Sequence, residues 1–345
     1  MVHTPIYMDN HATTRTDPRV VEAMLPYFDE TYGNAGSVTH TFGWAAKDAV
    51  DRSRATIATA LGARAKEIVF TSGATESNNL AIAGVAERHA ERGRHLVSVA
   101  TEHPSVLDPL EKLRRRGFEV TLLDPVPAPD RRAGFVRLDE LADAIRDDTI
   151  LVSVMLANNE SGVIQPLGEI ARLCGERGVP LHTDATQAVG KLPVDLGRLG
   201  VDLMSFTAHK IYGPKGIGAL FVRRGRGSRR VRPEPILHGG GHEFGLRSGT
   251  LNVPGIVGFA RAVELAIETR PEESQWLRRL RARLCAGLRE RGGDLVLNGP
   301  ALDPPEWRLP GNLNVSVPQI DGEALLMNMK DVALSSGSAC TSADP

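Results

Sequence analysis

The chain has little cysteine, few aromatics and no long apolar run. Its three cysteines, Cys174, Cys285 and Cys340, are an odd number at wide spacing within 345 residues and form no disulfide framework. No apolar stretch approaches the roughly 20 residues of a membrane span, so no membrane role is expected. The net charge of −1 leaves no field to gather nucleic acid or anionic lipid. The first residues, MVHTPIYMDNHATT, lack the basic and apolar regions of a signal peptide. The expectation is a cytoplasmic protein with reduced thiols and no metal centre. An apolar content of 41% with 24% charged residues is ordinary for a globular chain. The length suggests about two domains.

What is present is an alternation of short apolar runs with amphipathic stretches. KEIVFTSG leads into ATESNNLAIAGVAERHAERG, RHLVSVATEH into PSVLDPLEKLRRRG, and TILVSVMLANNESG into PLGEIARLCGERG. VPLHTDATQAVG and VDLMSFTAHK follow, then a glycine-rich turn, IYGPKGIG, and ALFVRR. This is the sequence form of a mainly parallel sheet covered by helices on both faces. Ahead of it, WAAKDAVDRSRATIATALG reads as a long helix closed by Gly62. Cys174 falls on one helical face with Leu167, Ile170 and Ala171. Cys285 falls beside a stripe of Leu277, Leu280, Leu284 and Leu288, which reads as a packing face. Both cysteines are expected to be small core residues. RRGRGSRRVRPEP holds six arginines and reads as a solvated loop, with docking of an acidic partner as the alternative.

The apolar runs share one property: each delivers polar groups at its carboxyl end. Ser72-Gly73-Ala74-Thr75 follows the first, Glu102-His103 the second and Asn158-Asn159 the third. Asp184 with Gln187 closes the fourth, and His209-Lys210 the fifth. Ligands of open parallel sheets bind outside the carboxyl ends of the strands, so five such groups in register describe a site. TSGATE passes through Gly73 into a helix start, where backbone N–H groups suit an anion; a plain N-cap by Ser72 or Thr75 is the other reading. The turn does not match the nucleotide P-loop, and GGGHEFG follows no strand and opens no helix, so it is no dinucleotide fingerprint. Lys210, at the end of an apolar strand, suits a Schiff-base amine. Asp184 suits the partner of a pyridinium nitrogen, and His103 offers a flat ring for stacking. Together these groups fit pyridoxal 5'-phosphate (PLP).

The segments YMDNHATT, GNAGSVTHTFGWAA, IVFTSGATESNNLAI, TEH, NNESGV, HTDATQAVGKLPVDL, DLMSFTAHKIYGPKGIGALFVRR, GGGHEFGLRSGT and LSSGSACTSA strongly resemble cysteine desulfurases of the IscS/NifS type. These are PLP-dependent class V aminotransferase enzymes. The resemblance implies an α/β PLP-dependent transferase fold, aspartate aminotransferase-like, with a mainly parallel seven-stranded sheet in a large domain over residues 15–258. A smaller α/β domain would comprise residues 1–14 and 259–345 and carry a catalytic loop at about 335–345. Lys210 would bind the cofactor covalently, His103 would stack on its ring and Asp184 would hold its ring nitrogen. Asn159 and Gln187 would contact its ring oxygen. Ala74, Thr75, Thr207 and His209 would hold the phosphate, with Thr250 supplied by the other subunit of a homodimer.

Cys340 would take the sulfur of L-cysteine as a persulfide and pass it to an acceptor protein such as an iron–sulfur scaffold. The resemblance also allows Cys340 a transient part as an iron–sulfur ligand. The surrounding SSGSACTSADP, all small or polar apart from the cysteine, suits a long swinging arm. The relatives it resembles continue past the position of Pro345, with a further helix and an arginine for the substrate carboxylate. His11 stands where many carry another residue, a variation expected near the site entrance. Pro104 directly after His103 suits a helix start. The alternatives are a selenocysteine lyase or other class V lyase, or a partner protein without turnover.

Overall fold

The computed structural model describes residues 4–225 and 231–336. Cys340 and the centre of the arginine-rich segment lie outside the described residues. In chain order the strands are β1 (Ile6–Tyr7), β2 (Ile68–Thr71), β3 (His95–Val99), β4 (Glu119–Leu123), β5 (Thr149–Ser153), β6 (Leu181–Asp184), β7 (Leu203–Thr207), β8 (Gly218–Val222), β9 (Val296–Leu297), β10 (Val315–Ser316) and β11 (Val332–Ala333). The α-helices are α1 (Pro18–Met24), α2 (Pro26–Asp29), α3 (Thr41–Ala60), α4 (Ala74–His89), α5 (Pro104–Arg115), α6 (Leu138–Ala144), α7 (Leu167–Glu176), α8 (Leu196–Leu199), α9 (Val253–Gly292) and α10 (Gly322–Asn328).

Seven strands form one sheet in the order β2-β8-β7-β6-β5-β3-β4. All neighbours pair in parallel except β8, which runs antiparallel to both β2 and β7. The short turn IYGPKGIG explains the reversal, because a parallel return needs a crossover of a dozen or more residues. Successive residues split between the two faces: Phe70, Val97, Met204 and Phe221 join one core, Val69, Leu96, Leu203 and Leu220 the other. Helices α4 and α5 pack together on the second face, while α3 packs on α9 on the first. Strand β4 went unrecognised in the sequence. It lies at the sheet edge, mostly half-buried or exposed, and sends nothing to the site described below. Gly62 adopts φ +68° just past α3, the left-handed closure expected there.

Cys174 and Cys285 are both buried, 1% and 4% exposed. The leucine stripe beside Cys285 requires a correction. Leu280, Leu284 and Leu288 are 39%, 41% and 36% exposed, and the inward side of α9 there is Arg281 and Cys285. Arg281 donates to the Leu309 carbonyl at 2.8 Å, so the helix is turned by its arginine rather than by its leucines. The arginine-rich segment is also not wholly solvated. Arg223 donates to the carbonyls of Val201 and Leu196, both at 2.7 Å.

Two short sheets lie beyond the large one. β1 pairs in parallel with β11, and β9 pairs antiparallel with β10. The first brings residues near the two ends of the chain together, with the Met8 amide donating to the Ala333 carbonyl at 3.0 Å. The segment 239–250 is anchored by a buried ion pair. Arg54 donates through Nη1 and Nη2 to the Glu243 carboxylate at 2.7 and 2.6 Å, and the Phe70 amide donates to the same carboxylate at 2.6 Å. Their side chains are 7% and 1% exposed. Glu243→Ala would strand a guanidinium in the core, and a loss of about 3–5 kcal/mol is expected. A denaturant midpoint equal to the parent's would show that this pair does not clamp the segment. Among the described residues no helix is long and apolar enough to cross a membrane.

Candidate active site

The carboxyl ends of β2, β3, β5, β6 and β7 open onto a cavity of about 600 Å³. Ser72 to Glu76, His103, Asn159, Asp184, Gln187, Thr207, His209 and Lys210 all line it. The structure thus gathers nearly every residue singled out in the sequence. Of the site residues read from the sequence, Glu102, Asn158 and Thr250 are absent from its wall, Thr250 being exposed elsewhere, and Cys340 lies outside the described residues. Ser335 lines the cavity, two residues beyond β11, so the segment leading to Cys340 starts at the cavity.

Helix α4 starts at the cavity with Gly73 as its N-cap, and no side chain caps it. Neither Ser72 nor Thr75 acts as the cap considered above; the Ser72 amide instead donates to Glu76 at 2.8 Å. Burial would raise the Glu76 carboxyl, yet Arg247 and Ser72 hold it below the usual range. A Cβ built on Gly73 would stand in nearly open space, its nearest neighbour Thr207 Oγ1 at 3.9 Å. The uncapped helix start and that open space together form an anion cradle. Thr207 itself donates its hydroxyl to the Ile217 carbonyl at 3.0 Å.

His103 is the N-cap of α5, and Pro104 follows it at the first helical position as expected. Its Nδ1 accepts from the Ser105 amide at 3.1 Å, which leaves the ring hydrogen on Nε2. Burial lowers its pKa; Asp184 opposes that and Lys210 adds to it. The lowered pKa favours the neutral ring, whose flat face suits stacking on an aromatic ligand. His209 is pushed down to about 4, first by burial and then by Lys210, Lys215 and Lys191.

Asp184 closes β6 and is 5% exposed. It accepts from the Thr186 amide and from Asn78 Nδ2, both at 2.8 Å. Asn78 also donates to Ser105 Oγ at 2.9 Å, tying the Asp184 and His103 walls together. Asn78 and Ser105 were missed in the sequence. Asn78 stands inside the first turns of an apolar helix, and an uncharged polar residue there was the available signal. Glu102, which precedes His103, does not face the cavity. It is 4% exposed, and the Met155 amide donates to it at 2.5 Å. Burial pushes its carboxyl well above the usual range against that hydrogen bond, and the charge of Asp184 adds to the rise.

The pair Asn158-Asn159 divides its work. Asn158 turns inward, donating to the Thr101 carbonyl at 2.9 Å and accepting from the Ser161 amide at 2.7 Å, while Asn159 lines the cavity. Lys210 Nζ donates to the carbonyls of His11 and Ala12 at 2.5 and 2.6 Å. His11 is therefore part of the cavity rather than a bystander at its entrance. Its ring is pushed down to about 3 by burial, Lys191 and Lys210. A charge partner at one wall, an amine at another and an anion cradle at a third match the donor set that PLP requires.

The Aminotransferase class-V family model matches residues 6–344. The chain is 55% identical over 339 residues to the cysteine desulfurase IscS of Anaeromyxobacter dehalogenans, covering 98% of this chain and 81% of that one. Among solved structures, a NifS-like protein superposes with a TM-score of 0.86 at 42% identity, covering 94% of this chain and 84% of that one. A second, SspA in complex with cysteine, gives a TM-score of 0.80 at 35% identity, covering 97% and 90%.

Proposed function

Because the chain belongs to the aminotransferase class-V family, alongside its cysteine desulfurases, we propose that it converts L-cysteine to L-alanine and carries the released sulfur as a persulfide on Cys340. The observation that supports this most directly is the meeting of Lys210, Asp184 and the uncapped start of α4 in one cavity.

In this reading Lys210 would be the attachment point for PLP, and its Nζ donates to two backbone carbonyls of the cavity lining. Asp184, held in place by Thr186 and Asn78, would pair with the ring nitrogen. His103 would lie against the ring, and Asn159 and Gln187 would contact its ring oxygen. Ala74 and Thr75 would offer their amides to the phosphate with Thr207 and His209 beside them, and Thr250 would complete that site from the partner subunit of a homodimer. When bound, the cofactor supplies a sink for the electrons of the bond broken in the substrate.

The chain's own task is sulfur capture. The Cys340 thiolate bonds to the substrate sulfur as the carbon–sulfur bond breaks, and the carbon takes a proton to become the methyl group of alanine. A thiolate of a sulfur-acceptor protein, such as an iron–sulfur scaffold, then bonds to the outer sulfur as the sulfur–sulfur bond breaks, and the Cys340 thiolate is released for another turn. The large PLP-binding unit spans residues 15–258, with the smaller unit formed by 1–14 and 259–345. That division is supported by the confinement of the seven-stranded sheet to residues 68–222. The direct test supplies PLP and L-cysteine and measures alanine and sulfide in the presence of a thiol reductant. Equimolar alanine and sulfide are expected. Turnover of selenocysteine alone would replace this reading with the selenocysteine lyase alternative.

A further inference from the structure

Lys191 lies behind the cavity wall, seven residues past Asp184, and the chemistry above gives it no part. It is half-buried, and its Nζ donates to Gln187 Oε1 at 2.6 Å. Gln187 is 3% exposed, and its Nε2 donates to the His11 carbonyl at 2.9 Å. That carbonyl also accepts from Lys210. A continuous chain thus runs from Lys191 through Gln187 and the His11 carbonyl to Lys210.

A lysine ammonium has donors and no acceptor, so whatever it touches must turn an oxygen toward it. A carboxamide has one end of each kind. With Lys191 holding the oxygen, the Gln187 nitrogen is left on the cavity side, and it carries two hydrogens. One goes to His11. The second has no other partner among the described residues and is available to the cavity that Gln187 lines.

We propose that Lys191 is a positioning residue: by holding Gln187 Oε1 it fixes the side-chain amide with its N–H toward the cofactor's ring oxygen, so that this oxygen is favoured as an anion. The inference rests on the reading of the cavity as a PLP site. The groups facing Lys191 support it. Lys210 and His11 approach from the cavity side, and Glu273, Arg270 and Tyr212 lie about the same neighbouring space. Burial and the Lys210 charge bring the Lys191 pKa down to about 7, against Glu273; its nitrogen keeps N–H donors for Gln187 Oε1 in either charge state, so its removal takes away a donor and a partial charge at this wall.

The test is a spectroscopic pH titration of the PLP-loaded protein, following the visible band of the Lys-linked cofactor. Without Lys191 the Gln187 amide can turn its oxygen to the ring, which disfavours the oxygen anion and strengthens retention of the proton on the linking nitrogen. Lys191→Met should therefore move the transition upward by about one pH unit, the size of one lost hydrogen bond. Lys191→Arg, still a pure donor, should return it to the parental value. Lys191→Gln guards against misfolding of the methionine variant. Its amide can present either end to Gln187, so its transition should fall between those of the parent and Lys191→Met. A transition at the parental pH in either neutral variant, with PLP bound, overturns the proposal while leaving the PLP site intact. A parent protein that shows no such band, and no bleaching with borohydride, overturns the PLP site itself and this inference with it.

Discussion

Lys210→Ala is expected to give a folded protein that takes up PLP without a covalent link and loses turnover by on the order of 10³-fold or more. Schiff-base attachment requires a primary amine, and alanine offers none. The variant also removes two hydrogen bonds to the His11 and Ala12 carbonyls, so a stability loss of about 1–3 kcal/mol should accompany the change. Two controls separate chemistry from folding. Far-UV circular dichroism should be preserved, and mass spectrometry after borohydride should find PLP on Lys210 in the parent and nowhere in the variant. Lys215 lines the same cavity and Lys191 lies behind it. Recovery of the reduced cofactor on either of these in the parent would displace Lys210 from its role.

The second large effect belongs to Cys340. Cys340→Ser keeps the size and polarity of the side chain but removes a group that ionises near neutral pH and attacks sulfur. The variant should still bind L-cysteine, seen as a shift in the cofactor spectrum, while protein-bound persulfide falls to background. The other two thiols cannot stand in, because Cys174 and Cys285 are buried in α7 and α9. Cys174→Ser and Cys285→Ser should keep the persulfide, with any loss tracking stability. A persulfide mapped to Cys174 or Cys285, or formed at the parental rate in Cys340→Ser, would rule the assignment out.

These residues could be read from the sequence because each sits where a buried strand stops. A run such as VDLMSFT identifies itself by its apolar content, and the polar residues that follow are placed at one edge by the sheet. Asp184, His103 and Lys210 were found in this way. Asn78, Ser105 and Lys191 were not, because they act from helix starts and turns, where a polar residue is ordinary. Only the folded packing shows that Asn78 bridges two walls of the cavity. Glu102 shows the limit from the other side: it follows a strand as His103 does, yet it turns into the core.

The leucine stripe of α9 failed for a different reason. Periodicity reports that a face is apolar but says nothing of what meets it, and a buried Arg281 reaching the Leu309 carbonyl sets the rotation instead. Strand β4 escaped because an edge strand need not be apolar on both sides.

Helix α9 carries one more implication. Its 40 residues are helical from Val253 to Gly292, about 60 Å along the helix path, with Pro271 inside it. Its first half lies in the core beside the large sheet, with Ile256, Phe259 and Val263 buried; its second half sets Arg281 and Cys285 against the segment around Leu309. The helix therefore acts as a drive shaft whose two ends are keyed in phase. Each residue added or removed near its middle would rotate one end by about 100° against the other. Substitutions along its outer side change little in such a shaft. A change in its length would misalign both keyed surfaces at once, so length, more than composition, is what this part of the chain has to preserve.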